Sequence, residues 1–141
     1  MNTKWDNRFI KLAEHIASWS KDPSTKVGSV IVHDKEVISL GFNGYPKGIP
    51  DDDLNDRQKK YAKVLHGELN AILFSKRDLT GFTIYVWPMP PCSQCASVII
   101  QSGIKRVVTC HANAEQFKRW GDKIKITEKM FENADVTINY I

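Results

Sequence analysis

The chain has 141 residues, 42% of them hydrophobic and 26% charged, with a formal net charge of +4. That length supports one hydrophobic core, and the expectation is a single domain over 1–141. No apolar run approaches the roughly 18–20 residues of a membrane helix, which excludes a membrane-spanning class. The start, MNTKWDNRF, lacks an apolar signal core, so a cytoplasmic location is expected. Three cysteines without a signal segment argue against a disulfide framework. The modest positive charge reads as a solvated surface, including Lys59, Lys60, Lys63 and the stretch 118–129.

Trp5, Phe9, Ile10, Leu12, Ala13, Ile16, Ala17 and Trp19 mark one face of an amphipathic helix over 5–19. Lys21 to Lys26 breaks it with a proline and small polar residues. Val27–His33 and Val37–Phe42 read as a hairpin joined by Asp34, Lys35 and Glu36. The loop from Gly41 to Gly48 leads to the acidic cluster Asp51, Asp52 and Asp53. Residues 54–65 read as a polar helix, and a second runs from His66 to Lys76 with Leu69, Ile72 and Leu73 as its apolar stripe. Phe82–Trp87 is a strand that the prolines at 88, 90 and 91 stop abruptly. Cys92–Ser102 is a helix, Ile104–Cys110 a strand, 115–133 a helix and Val136–Ile141 a last strand. Alternation after the hairpin implies parallel pairings with crossover helices on the sheet faces.

Two segments carry chemistry. They are His66-Gly67-Glu68 and Pro91-Cys92-Ser93-Gln94-Cys95, and each falls where a helix begins. Imidazole nitrogen and thiolate sulfur are tetrahedral zinc ligands. His66, Cys92 and Cys95 supply three of them with no evident fourth, the pattern of a catalytic site with a place for water. Glu68, two residues from His66, can approach that water without ligating the metal and can move its protons. H-x-E followed by P-C-x-x-C is the signature of the zinc deaminases. Cys110 reads as a small buried residue without chemistry.

At these residues the chain resembles the cytidine and deoxycytidylate deaminase superfamily, and most closely its deoxycytidylate (dCMP) branch. The resemblance extends to Trp5-Asp6 and Phe9, to Lys21 through Gly28, to Gly41 through Gly48, to His66 through Ile72, and from Cys95 to Lys105. It implies a three-layer α/β/α cytidine-deaminase-like fold with a five-stranded mixed sheet, a Zn2+ cofactor, and hydrolysis of dCMP to dUMP and ammonia. Metal-activated water would be the nucleophile and Glu68 the proton shuttle. It also implies a sugar contact for Asn43, whose other reading is a turn residue. Ser24, Thr25 and Lys26 are candidates for a 5′-phosphate, or else form a solvated loop. Trp87 stacks on a base or closes the core.

Three departures mark this chain. Gly67 stands where the family has alanine or cysteine, which implies slightly more room beside the base. Trp87 to Pro91 is one residue longer than usual. The tyrosine expected near Asn113 is missing, leaving His111 to Trp120 to supply different contacts or another surface. The alternatives to a dCMP deaminase are a deaminase of a modified pyrimidine nucleotide or another heterocycle, and a non-catalytic zinc module that binds nucleic acid through Lys118, Arg119, Lys123, Lys125 and Lys129. The expected partners are a small nucleotide and, by the resemblance, further copies of the chain as a dimer or hexamer. Neither a membrane nor a stable nucleic-acid partner is expected.

Overall fold

In the computed structural model, residues 3–141 are described. Helix α1 (Lys4–Ala17) opens on a reciprocal cap. Thr3 Oγ1 accepts from the Asp6 N–H at 3.1 Å, and Asp6 Oδ2 accepts from the Thr3 N–H at 3.0 Å. Strands β1 (Gly28–His33) and β2 (Glu36–Phe42) form the expected hairpin. Its turn residues Asp34 and Lys35 both have positive φ, 49° and 65°, the geometry that suits the twist of a tight hairpin. Then follow α2 (Arg57–Lys63), α3 (Gly67–Ser75), β3 (Thr83–Trp87), α4 (Ser93–Gln101), β4 (Arg106–Thr109), α5 (Ala114–Asn133) and β5 (Thr137–Tyr140).

The sheet order is β2-β1-β3-β4-β5, antiparallel through β1 and parallel from β3 to β5. This is the expected five-stranded mixed sheet. Alternation along each strand divides the core in two. Val30, Val32, Tyr85 and Val108 face α1 through Phe9, Ile10, Ala13 and Ile16. Ile31, Ile84, Val86 and Val107 face the opposite layer, where Ala71 of α3, Ala96 and Ile99 of α4 and Phe131 of α5 pack. Among the described residues, no helix is long and apolar enough to cross a membrane.

Helix α3 docks differently from its expected stripe. Its buried residues are Gly67, Glu68, Asn70 and Ala71, while Leu73 is 57% exposed. Small and hydrogen-bonded residues let the helix backbone come against β2. Asn70 Nδ2 donates to the Phe42 carbonyl at 2.8 Å, and Ser39 Oγ donates to the Ala71 carbonyl at 2.7 Å. The lysine cluster is also less solvated than its charge implies. Lys60 is 4% exposed and paired with Asp22 at 3.1 Å, and Lys63 pairs with Asp53 at 2.6 Å.

Candidate active site

Both site helices start beyond the carboxyl ends of strands, where open α/β sheets place their ligands. After β2 the chain returns through α2, and Leu65 pairs with Gly44 by two backbone hydrogen bonds of 2.8 and 3.0 Å. That bridge fixes the next residue, His66, as the N-cap of α3. After β3, Pro91 leads into Cys92, the N-cap of α4. Thr127 Oγ1 of α5 donates to the Pro91 carbonyl at 2.8 Å and pins this entry. Neither His66 nor Cys92 uses its side chain to cap its own helix, so the two side chains face each other.

The His66 Nδ1 atom lies 3.2 Å from Cys95 Sγ and 3.4 Å from Cys92 Sγ. All three donor atoms fall within 4.8 Å of one another. Tetrahedral zinc, with bonds of about 2.0–2.3 Å, needs donors spaced roughly 3.5 Å apart. One nitrogen and two sulfurs at this spacing fit that ion. Hydrogen bonds from the Cys95 thiol and the His66 ring, against the opposing effect of burial, hold Cys92 down at about 3. A thiolate is therefore already favoured at the ligand position.

Glu68 sits in the first turn of α3, 4% exposed, and its Oε1 has no hydrogen-bond partner. Burial pushes its carboxyl up to about 7, against the pull of His66. A buried carboxyl oxygen left without a partner costs stability, and such groups are kept where they act on a ligand. Glu68, His66 and Cys92 line one cavity. Asp22, Ser24, Thr25, Asn43 and Lys60 also line it, as do Val27, Tyr61 and Val64, Met89 and Pro90, and from α5 Trp120, Ile124 and exposed Arg119 and Lys123.

The structure brings Ser24, Thr25 and Asn43 to this cavity. The Asn43 amide is engaged in holding the loop before β1. Its Oδ1 accepts from the Val27 N–H at 2.9 Å, and its Nδ2 donates to the Thr25 carbonyl at 2.9 Å and to Asp22 at 3.3 Å. Only the second lone pair of Oδ1 is left for a ligand. Asp22 Oδ1 also accepts the Ser24 and Thr25 N–H groups at 2.8 and 3.1 Å, so those residues offer hydroxyls. Lys26 and Trp87 are not in the cavity. Both line an adjoining groove, and Lys26 is turned so that Nζ donates to the Ser20 carbonyl. Trp87 packs with the α1 core, the reading that closes the core. Strand parity explains this, since Val86 faces the α3–α4 layer and the next residue must face away.

Gly67 has a different meaning from extra room beside a base. A Cβ there would lie 3.1 Å from the Val27 carbonyl and 3.3 Å from that of Gly41, so the missing methyl faces the strand ends. The long proline loop and the His111–Trp120 segment bring Met89, Pro90, Arg119 and Trp120 to the cavity, while sequence reasoning missed Lys60 and Lys123 as cavity residues. Trp120 did carry a signal, because it heads the apolar stripe Ile124, Thr127 and Phe131 that seats α5. Lys60 carried none, because its partner is 38 residues away in sequence.

A family model, the cytidine and deoxycytidylate deaminase zinc-binding region, matches residues 3–111. The uncharacterized deaminase of the luxG 3′ region of Aliivibrio fischeri is 49% identical, across 100% of this chain and 96% of its own length. Human deoxycytidylate deaminase is 40% identical over 74% of this chain, and the match covers 64% of the human protein. The dCMP deaminase of cyanophage S-TIM5, solved in complex with dCMP and dUMP, shares the fold at a TM-score of 0.76 and 24% identity, covering 100% of this chain and 99% of the phage protein. The relatives and the His66–Cys92–Cys95 donor set agree, and the chain belongs to the zinc-binding cytidine and deoxycytidylate deaminase family, with zinc as its cofactor.

Proposed function

We propose that this protein is a hydrolase that converts deoxycytidylate to deoxyuridylate and ammonia, working in the cytoplasm as a homo-oligomer, a dimer or a hexamer. The observation that carries the reading is Glu68, a buried carboxyl with an unpartnered oxygen beside three metal donors. His66, Cys92 and Cys95 would hold the zinc ion. When bound, zinc supplies the Lewis acidity that lets water act as a nucleophile near neutral pH.

Glu68 then does the proton work. It accepts a proton from water as the oxygen adds to C4 and delivers that proton to N3. It takes the remaining hydroxyl proton and passes it to the amino nitrogen, the C4–N bond breaks, and ammonia leaves. One water is consumed, one C–O bond replaces one C–N bond, and N3 keeps its hydrogen. A carboxyl held at about 7 is suited to both accepting and returning a proton.

The free lone pair of Asn43 Oδ1 suits a sugar hydroxyl, and the Ser24 and Thr25 hydroxyls suit a 5′-phosphate, with Lys26 at the outer groove. Leu73 and Phe74, 57% and 49% exposed on α3, support association between copies.

Purified, zinc-loaded protein should release ammonia from dCMP with a higher kcat/KM than from CMP, deoxycytidine, 5-substituted dCMP or guanine. A 5-substituted dCMP as the best substrate would select the modified-pyrimidine alternative. Equal rates with and without the 5′-phosphate would remove the nucleotide from the reading. No ammonia from any cytosine nucleotide, nucleoside or base would overturn it.

A further inference from the structure

Helix α5 lies beyond the part of the chain that the family model matches, yet it forms one wall of the cavity. Its Trp120 carries an indole Nε1–H that is buried and has no hydrogen-bond partner. An indole N–H is a donor only, so a ligand that satisfies it must present an acceptor there. Trp120 is also among the residues shared by the metal cavity and the adjoining groove. The others are Asp22, Ser24, Thr25 and Arg119. The passage between the two spaces therefore runs between the Ser24–Thr25 loop and the Arg119–Trp120 turn.

Charge identifies what belongs in that passage. The Arg119 guanidinium lies 5.2 Å from the Trp120 ring centroid, and Lys123 Nζ lies 5.6 Å from it. Among the described residues, neither cation is within ion-pair distance of a carboxylate. Among the described residues that line both spaces, Asp22 is the only acid, and it is already paired with Lys60. Trp120 with its unsatisfied donor, Arg119 and the hydroxyl-bearing Ser24 and Thr25 all line the passage, and Lys123 lines the cavity beside it. Such a site recognises an oxyanion with acceptors on several sides.

We propose that Trp120 is a specificity-determining residue, donating its indole N–H to the 5′-phosphate of the bound nucleotide while Arg119 and Lys123 balance the phosphate charge. This rests on the deaminase reading above and deepens it. It makes α5 the element that separates a nucleotide from its nucleoside. The ring itself serves as packing, and the N–H serves as the reader.

Trp120→Phe keeps an aromatic ring and removes the donor. A hydrogen bond to a charged acceptor is worth a factor of roughly ten to a hundred in binding. The ratio of kcat/KM for dCMP over deoxycytidine should fall by about that factor in the variant, mainly through KM for dCMP. Calorimetry should show a matching loss in dUMP affinity relative to deoxyuridine, a readout that needs no turnover. Arg119→Gln should lower the same ratios, whereas Lys118→Gln, which removes a charge from the same helix outside both spaces, should not. Unchanged ratios in both Trp120→Phe and Arg119→Gln, in protein whose wild type is active on dCMP, would overturn this proposal alone. Wild-type protein that neither deaminates dCMP nor binds dUMP would overturn the deaminase reading and this proposal with it.

Discussion

At residue 41 there is no room for a side chain. A Cβ would lie 2.4 Å from the Ala71 nitrogen and 2.7 Å from the Gly67 carbonyl oxygen, both on the backbone of α3. Gly28 has the same constraint against α1, at 2.0 Å from the Ala13 carbonyl. Backbone atoms cannot rotate away, so Gly41→Ala must push α3, and Glu68 with it, off β2. Overpacking of this kind costs about 1–3 kcal/mol. The urea midpoint should fall accordingly and activity should fall with it; a wild-type midpoint would contradict the close approach. The cluster of His66, Cys92 and Cys95 was legible in the sequence, because His and Cys at motif spacing have few other uses. For Trp87 the sequence offered base stacking or core closure, and the choice of core closure depends on strand parity and on which face the site helices occupy. Lys26 and Lys60 exchanged places for a similar reason. A lysine beside a turn looked available and one inside a basic cluster looked solvated, but tertiary partners decided otherwise.

Among the elements, α1 is held to the sheet by an ion pair as well as by its apolar face. Arg106 of β4 bonds Asp6 through two nitrogens, at 2.9 and 2.7 Å, and the Tyr85 hydroxyl donates to Asp6 at 2.7 Å. Burial alone would raise the Asp6 carboxyl, but Arg106, Tyr85 and the Thr3 N–H outweigh it and hold it at about 2, below its ordinary 3.8. A depressed carboxyl stabilises the fold above its ordinary value and loses that contribution as pH falls toward its folded one. The contribution, about 2 kcal/mol, should be present above pH 4 and fade between about pH 4 and 2. Asp6→Asn should lower thermal stability at neutral pH and flatten the acid limb of the stability curve. Acid limbs of equal slope in the two proteins would contradict this. The hairpin was legible at this scale because Asp34-Lys35-Glu36 separates two β-branched runs. The buried face of α3 was misread, because periodicity finds apolar stripes and this helix docks through Gly67, Asn70 and Ala71.

Across the whole molecule, one layer holds the sheet together and the other delivers the chemistry. Helix α1 covers one face, while α3 and α4 bring their first turns to the carboxyl ends of parallel-running β2 and β3. The fold class was legible from the alternation of helices and strands. The segment up to Trp120 was legible only as a source of contacts or another surface, since nothing local joins residue 120 to residue 68. The proposed function assigns metal binding to His66, Cys92 and Cys95 and proton transfer to Glu68, two tasks that one substitution can separate. Glu68→Gln keeps the shape and removes the acid. Zinc content of the purified variant should match the wild type, while ammonia release from dCMP should fall by a factor of about a hundred or more. Turnover retained at the wild-type rate with full zinc occupancy would contradict the account.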